Sequence, residues 1–334
     1  MLMKALLTGG GGFLGRYLVD AWLKQGHEVA ILGRTEHPDL VARGIDFHQG
    51  DLSELETVRK ACEGCEVVFH TAAKAGVWGA KGSFWMTNFQ GTQNVITACR
   101  EQGVQRLIHT STPSVVFNRQ PLRGVDESQP YGSRWLCHYA ESKAAAEKEV
   151  LAAHAPGQLQ TVALRPHLIW GKGDNHLIPR VVARARAGKL KIVGTGTNKV
   201  DLVHVRNAAA AHLLAEEKLR DTDPVCGGKS YFITQGQPVV LWDWINALLK
   251  KLDIPPVTRK VPLPVAYTAG ALLEAVYAIA KIPGEPPMTR FVATELAKDH
   301  YFDISAARRD LGYNPRFSEE EGLRELVEEL RKLG

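Results

Sequence analysis

Cysteine is sparse in this chain, and its spacing suits neither a metal centre nor a disulfide framework. Five cysteines occur in 334 residues, at positions 62, 65, 99, 137 and 226. Cys62 and Cys65 form a C-x-x-C, but the other three are isolated, so no four-ligand zinc set exists and no metal site is expected. A redox pair would follow a strand and open a helix. Here Cys62 ends a helical pattern, Gly64 is placed to cap it, and Cys65 precedes the apolar run Val67-Val68-Phe69, so both thiols read as core. The first ten residues, MLMKALLTGG, are interrupted by glycine too early for a signal peptide. An odd cysteine count without an export signal fits a reducing cytoplasm.

Basic blocks and long apolar runs are missing too. A net charge of +5 without a Lys/Arg cluster excludes nucleic acid as the expected partner. No uninterrupted apolar run reaches transmembrane length. The nearest approach, Leu263 to Ala280, contains Glu274 and reads as a buried or groove-lining helix, with contact to a membrane surface left open. What remains, 45% hydrophobic and 23% charged residues, is the composition of a globular protein with a large core.

Strand and helix patterns alternate along the first half. Met3–Thr8, Val29–Leu32, Ile45–His48, Glu66–His70, Arg106–Ser111 and Gln160–Leu164 are predicted strands. Phe13–Gln25, Glu54–Cys62, Phe84–Glu101 and Leu136–Leu151 are predicted helices. Near-continuous apolar strands separated by helices predict an α/β fold, a doubly wound parallel (Rossmann) sheet. Beyond residue 166 glycine and proline interrupt the alternation. The expected organisation is a nucleotide-binding domain over 1–166, with 200–225 returning to it. A smaller, discontinuous α+β substrate-binding cap takes 167–199 and 226–334.

Thr8-Gly9-Gly10-Gly11-Gly12-Phe13-Leu14-Gly15 joins the first strand to the first helix. Glycine belongs where the chain turns tightly and where backbone must approach a pyrophosphate. The helix N-terminus beyond then offers free N–H groups to the anion. The end of the second strand chooses between NAD and NADP. An NAD site wants an acidic residue there, for the ribose hydroxyls. This chain has Leu32-Gly33-Arg34-Thr35, and the Arg34 guanidinium suits a 2′-phosphate, so NADP(H) is favoured over NAD(H).

Tyr139 and Lys143 stand at i and i+4 and share one helix face. A free phenol has a pKa near 10, and an adjacent ammonium is expected to lower it and ease proton exchange with a carbonyl oxygen. A third group should hold that oxygen. Thr112, at the carboxyl end of the fifth strand, is the choice, with Ser111 and Ser114 as alternatives.

Together these motifs make the chain similar to the extended short-chain dehydrogenase/reductases. Asp51-Leu52, His70-Thr71-Ala72-Ala73, Asn88-Phe89-Gln90-Gly91-Thr92 and Leu164-Arg165-Pro166 strengthen the likeness. The resemblance implies that Gly9, Gly12, Phe13, Leu14 and Gly15 hold the cofactor with Arg34. It places Asp51 and Leu52 by the adenine, and Ala72, Ala73 and Lys74 along the cofactor. Asn88 supports the active-site helix, Pro166, His167 and Ile169 lie near the nicotinamide, and Tyr139 and Lys143 contact it too. The family's usual catalytic serine is replaced here by Thr112, which keeps the hydroxyl.

More selective stretches, such as Ala73–Gly79, Pro113–Phe117 and Arg165–Gly171, resemble the 3β-hydroxysteroid dehydrogenase-like branch. Within it the likeness is greatest to bacterial ketoreductases of long-chain olefin biosynthesis. That implies NADPH-dependent reduction of a β-keto acid bearing two alkyl chains. Trp78, Trp85, Tyr267, Leu272, Tyr277 and Phe291 are candidate linings for the chains, and Arg290 or Lys74 for the carboxylate. The rival expectations are a 3β-hydroxysteroid or sterol-4-carboxylate dehydrogenase, an NDP-sugar epimerase or dehydratase, and a non-catalytic NADP-sensing protein. A homodimer and association with other olefin-pathway enzymes stay open as partners.

Overall fold

The strands of the sequence pattern assemble as one seven-stranded parallel sheet in a computed structural model that describes residues 2–332. In chain order they are β1 Lys4–Thr8, β2 Glu28–Gly33, β3 Asp46–Gln49, β4 Val67–His70, β5 Arg106–Thr110, β6 Gln160–Pro166 and β7 Ser230–Ile233. In space the order is β7-β6-β5-β4-β1-β2-β3. Each strand sends alternate side chains to opposite faces, which explains two separate cores. Ala5, Leu7, Val67, Phe69 and Ile108 enter one core, and Leu6, Val68 and Leu107 the other.

Helices cover both faces. Helices α1 Phe13–Lys24 and α5 Val205–Lys218 lie against the first core, where Ala208, Ala209, Ala211 and Ala215 let α5 pack closely. Helices α2 Leu55–Cys62, α3 Gly91–Glu101 and α4 His138–Ala152 cover the second. Cys62, Cys65 and Cys99 are buried there, and burial pushes the Cys65 thiol up to about 12. The cap contains α6 Leu241–Lys251 and α7 Leu263–Ile279, with a four-stranded sheet of Val239–Val240, Lys199–Val200, His300–Phe302 and Leu122–Val125.

Three local expectations are corrected. Ser230–Ile233, assigned by sequence to the cap, is the edge strand of the main sheet, paired with Ala163–Pro166. Its SYFI pattern sits in a glycine-rich stretch, and only the open edge of β6 makes it a strand of this sheet. Conversely, Leu122–Val125, assigned to the first domain, pairs with His300–Phe302 in the cap. The helix expected from Phe84 to Glu101 begins at Lys81 and is π-helical over Trp85–Gln90. Such a widened turn often marks a functional site, and Asn88 lies within it.

Candidate active site

The strand order reverses between β1 and β4, and at their carboxyl ends a cleft of about 730 Å³ opens. This is the switch point at which doubly wound sheets bind ligands. Gly9 has φ +74, and a Cβ there would meet the Ala72 backbone at 2.9 Å. A Cβ on Gly15 would collide with the Gly9 carbonyl. Gly12 is the N-cap of α1 and no side chain caps that end, so its N–H groups are left for an anion. These features fit a dinucleotide pyrophosphate.

Gly9, Gly12, Arg34, Asp51, Leu52, Ala72, Ala73 and Lys74 line the cleft. Asp51 Oδ1 accepts hydrogen bonds from the Ser53 amide at 2.9 Å and hydroxyl at 2.7 Å, which hold its carboxyl below the usual range. Arg34 is exposed and forms no ion pair among the described residues. Phe13 and Leu14 open α1 behind the turn, Phe13 standing edge-on to Tyr17 at 6.0 Å. Thr71 also lines the cleft, as do His37, Ser53, Met86 and Thr87, which were not marked by any motif. His37 lies against Gly11, with Arg16 between it and Asp39.

Tyr139 and Lys143 stand on the first turns of α4, above β5. The helix is rich in alanine, and buried Ala140, Ala144 and Ala146 bring it close to the sheet. Lys143 is 1% exposed. Its Nζ donates to the Thr110 carbonyl at 2.8 Å and meets His109 Nε2 at 3.0 Å. Burial lowers its pKa to about 7, opposed in part by Glu147 one turn on. Glu147 is itself buried, bound by Arg165 Nη2 at 2.5 Å and by the Tyr131 hydroxyl at 2.7 Å.

Lys143 is not among the groups that shift the Tyr139 phenol. Burial pushes Tyr139 up to about 12, and the Thr112 hydroxyl offsets part of the rise. The reason is geometric: the Lys143 ammonium is drawn down to β5 by His109 and Thr110. His109 is the residue that motif analysis missed. Strand alternation could have found it, because it follows Leu107 onto the face that α4 covers.

Thr112 is partly buried, exchanging hydrogen bonds with Ser114, to its Oγ at 3.2 Å and from its N at 3.3 Å. It caps the short turn Pro113–Val116 as well as facing Tyr139. Ser111 is instead buried, with no hydrogen-bond partner for its Oγ.

Asn88 ties the site together. Its Oδ1 accepts from the Lys74 amide at 2.7 Å, and its Nδ2 donates to the Lys74 carbonyl at 3.1 Å and to Ser142 Oγ at 3.0 Å. The loop beside the cleft is thereby fixed to the Tyr139 helix. Asn88→Ala leaves buried polar groups unpaired and is expected to lower stability by about 2–3 kcal/mol, read from the denaturant midpoint.

Pro166 ends β6, and Ile169 begins a two-residue strand beside Val203. The His167 ring is 6% exposed and is held by His300 at 2.6 Å and edge-on to Phe302. Its imidazole is thus engaged by the cap rather than open to the cleft. Among the described residues no group of three or more His, Cys, Asp or Glu side chains could hold a metal ion.

A second cavity of about 1010 Å³ adjoins the start of α4, lined by the apolar Val77, Trp78, Trp135, Leu136, Tyr277 and Ile282 and by the charged Lys81, Glu141, Glu274, Lys281, Glu285 and Arg290. Of the expected linings, Trp78 and Tyr277 are there. Phe291 is buried against Phe117 behind α4, and Trp85 is half-buried, edge-on to Phe89. Leu272 is corrected: it is 65% exposed on the outer face of α7. Arg290 reaches this cavity but is paired with Glu274 at 2.6 Å, while Lys74 Nζ lies 5.3 Å from the centroid of the Phe84 ring.

A parallel doubly wound sheet with a glycine turn at its switch point and a Tyr/Lys pair on the adjoining helix defines a nicotinamide-dependent oxidoreductase of the short-chain dehydrogenase/reductase type. The profile of the 3-beta hydroxysteroid dehydrogenase/isomerase family matches residues 6–265, and the chain belongs to that family. It is 47% identical to the 2-alkyl-3-oxoalkanoate reductase of Shewanella oneidensis, over 96% of this chain and 85% of that protein. Identity to the reductase of the same name from Stenotrophomonas maltophilia is 45%, covering 97% and 98%. The mouse sterol-4-alpha-carboxylate 3-dehydrogenase, decarboxylating, is 33% identical over 99% and 91%. Among solved structures, MoeE5 in complex with UDP-glucose and NAD is similar with a TM-score of 0.75 at 25% identity, covering 99% of each chain.

Proposed function

We propose that this protein is an NADPH-dependent reductase of a bulky, apolar β-keto acid, a 2-alkyl-3-oxoalkanoate, which it converts to the β-hydroxy acid. The observation that carries this reading is the large cavity beside the Tyr139 helix, whose walls include two tryptophans. The two relatives at 47% and 45% identity support the same substrate class. The unpaired Arg34 at the cleft, with no acid at the end of β2, supports NADPH.

The glycine turn and the α1 N-terminus would hold the pyrophosphate, Asp51 and Leu52 the adenosine, and Lys143 the nicotinamide ribose. The cofactor, when bound, supplies the hydride to the ketone carbon. Tyr139 donates its phenolic proton to the carbonyl oxygen as negative charge develops there. Thr112 donates a hydrogen bond to the same oxygen and keeps it in line with the phenol. A phenol pKa of about 12 keeps the proton on Tyr139 through the neutral range, which suits the reductive direction.

The sterol-4-carboxylate or 3β-hydroxysteroid dehydrogenase reading has the 33% relative in its favour and would use the same residues. The bulky apolar run Leu168-Ile169-Trp170 after Pro166 speaks against a sugar diphosphate, and the intact Tyr139–Lys143 pair against a purely cofactor-sensing protein. Consumption of NADPH or NADH is followed at saturating 2-alkyl-3-oxoalkanoate, 3-ketosteroid and UDP-sugar. The expected result is turnover of the first with NADPH. Arg34→Ala is expected to weaken NADPH about tenfold or more and leave NADH unchanged, because a charge-assisted phosphate contact is worth about 1.5–3 kcal/mol. Equal use of both cofactors by the unmodified protein overturns the NADPH assignment, and turnover of the steroid alone overturns the substrate.

A further inference from the structure

Three buried histidines cluster around β5, and one of them is bonded differently from the other two. His70 on β4 has both ring nitrogens engaged, Nδ1 with the Thr8 hydroxyl at 2.7 Å and Nε2 with the Thr92 hydroxyl at 2.9 Å. His212 on α5 is also engaged at both. Its Nδ1 donates to the Ala208 carbonyl at 2.7 Å, and its Nε2 accepts from the Thr110 hydroxyl at 2.8 Å. His109 on β5 is bonded at one nitrogen alone. Its Nε2 meets Lys143 Nζ at 3.0 Å, while its Nδ1 is buried with no hydrogen-bond partner among the described residues.

An ammonium can only donate, so His109 Nε2 is the acceptor and the ring proton sits on Nδ1. Burial, the charge of Lys143 and the two neighbouring histidines hold the imidazole well below its usual range, so the ring is neutral. A buried N–H with no acceptor costs stability, and an apolar side chain would fill the same place without that cost. The orphaned nitrogen therefore directs attention to the one bond the ring does make. That bond is to a cation.

Few other groups act on Lys143. Burial opposes its charge, and Glu147 on the same helix favours it. That carboxylate is already shared by Arg165 of β6 and the Tyr131 hydroxyl. Tyr139, one turn back, keeps its proton up to about 12, and burial holds His70 down to about 3 and His212 to about 4, so none of the three carries charge near neutrality. Two acceptors touch Nζ directly: the Thr110 carbonyl at 2.8 Å and His109. The carbonyl is backbone and is present whatever residue stands at 110. His109 thus supplies the side-chain acceptor. A charge-assisted hydrogen bond is about twice as strong as a neutral one, so an acceptor at Nζ favours the ammonium over the free amine.

We infer that His109 is a positioning residue for the reaction: by accepting from Nζ it holds Lys143 against β5 in its ammonium form, with a third N–H left for the nicotinamide ribose. The part played at the ribose rests on the reductase reading, whereas the hold on the ammonium does not.

The test observes Lys143 itself. Protein labelled at the lysine ε-carbons is titrated with pH by NMR, and the Lys143 signal is assigned from its loss in Lys143→Met. His109→Leu removes the acceptor at similar volume and is expected to lower the Lys143 midpoint by about one pH unit, the gap between a charge-assisted and a neutral hydrogen bond. His109→Phe takes its place if the leucine protein does not fold. His109→Gln, whose amide oxygen can stand where Nε2 stood, is expected to restore the midpoint to within about 0.3 pH unit. The alkaline limb of kcat/KM for ketone reduction should move by the same amount as the NMR midpoint, with NADPH and NADH alike. A midpoint that the leucine substitution leaves unmoved, or that glutamine fails to restore, overturns the inference. A midpoint that moves while the alkaline limb stays fixed overturns the positioning role in the reaction. A shifted midpoint in a protein that reduces no ketone sinks the reductase reading and upholds the hold on the ammonium.

Discussion

Tyr139→Phe is expected to reduce kcat for ketone reduction by about 10³-fold while leaving the dissociation constant of the reduced cofactor within about twofold. Removing one hydroxyl takes away the proton donor, and a positioned general acid contributes roughly 10²–10⁴ in rate. The ring is retained, so its packing against the cluster of Phe117, Cys137, Ala140 and Phe291 is preserved. The measurement is a single-turnover reduction followed by cofactor absorbance, with a separate fluorescence titration for binding. Turnover that survives at more than about a tenth of the original rate would remove Tyr139 from the mechanism. Burial holds the phenol at about 12, so the rate between pH 6 and 9 should show no step from tyrosine ionisation.

The second large effect concerns Lys143, where activity and stability are expected to move in opposite directions. Lys143→Met is expected to abolish most of the turnover, because the nicotinamide ribose loses the cation proposed to hold it beside Tyr139. Yet the wild-type ammonium is costly to bury. With a folded-state pKa of about 7 against an unfolded value of 10.5, the unfolded chain binds the extra proton across that interval. Stability of the wild type therefore rises as pH increases from about 7 towards 10.5. The methionine variant lacks this dependence. It is expected to be about 1–3 kcal/mol more stable near pH 7, after allowing for the unpaired Thr110 carbonyl and His109 nitrogen. The gap should close as pH approaches 10.5. Denaturant titrations at several pH values decide this, and a variant less stable than wild type at pH 7 would show that the hydrogen bonds of Lys143 outweigh its burial.

Much of the cofactor half was legible without coordinates. Apolar strands such as Val67-Val68-Phe69 signal burial on both faces, and the glycines between β1 and α1 signal a backbone that must pass close to a ligand and to Ala72. Both signals are local, and neither depends on what the remote chain does. The i, i+4 spacing of Tyr139 and Lys143 is equally local. What eluded pattern analysis was whatever a distant segment decides. Ser230–Ile233 becomes part of the main sheet only because β6 leaves an edge open. The His167 ring is engaged because His300, 133 residues away, supplies the hydrogen bond.

By itself, the sequence determined the doubly wound sheet, the place of the glycine turn and the shared helix face of Tyr139 and Lys143, with Thr112 as the proposed third member of the trio. Periodicity and glycine placement are properties of short windows. Only the tertiary structure decided how that trio is tuned. His109 and Thr110, reaching Lys143 from a strand more than thirty residues earlier, hold the ammonium below the phenol. Burial then raises Tyr139 instead of lowering it. Desolvation is set by everything packed around a group, and no spacing of residues along the chain encodes it.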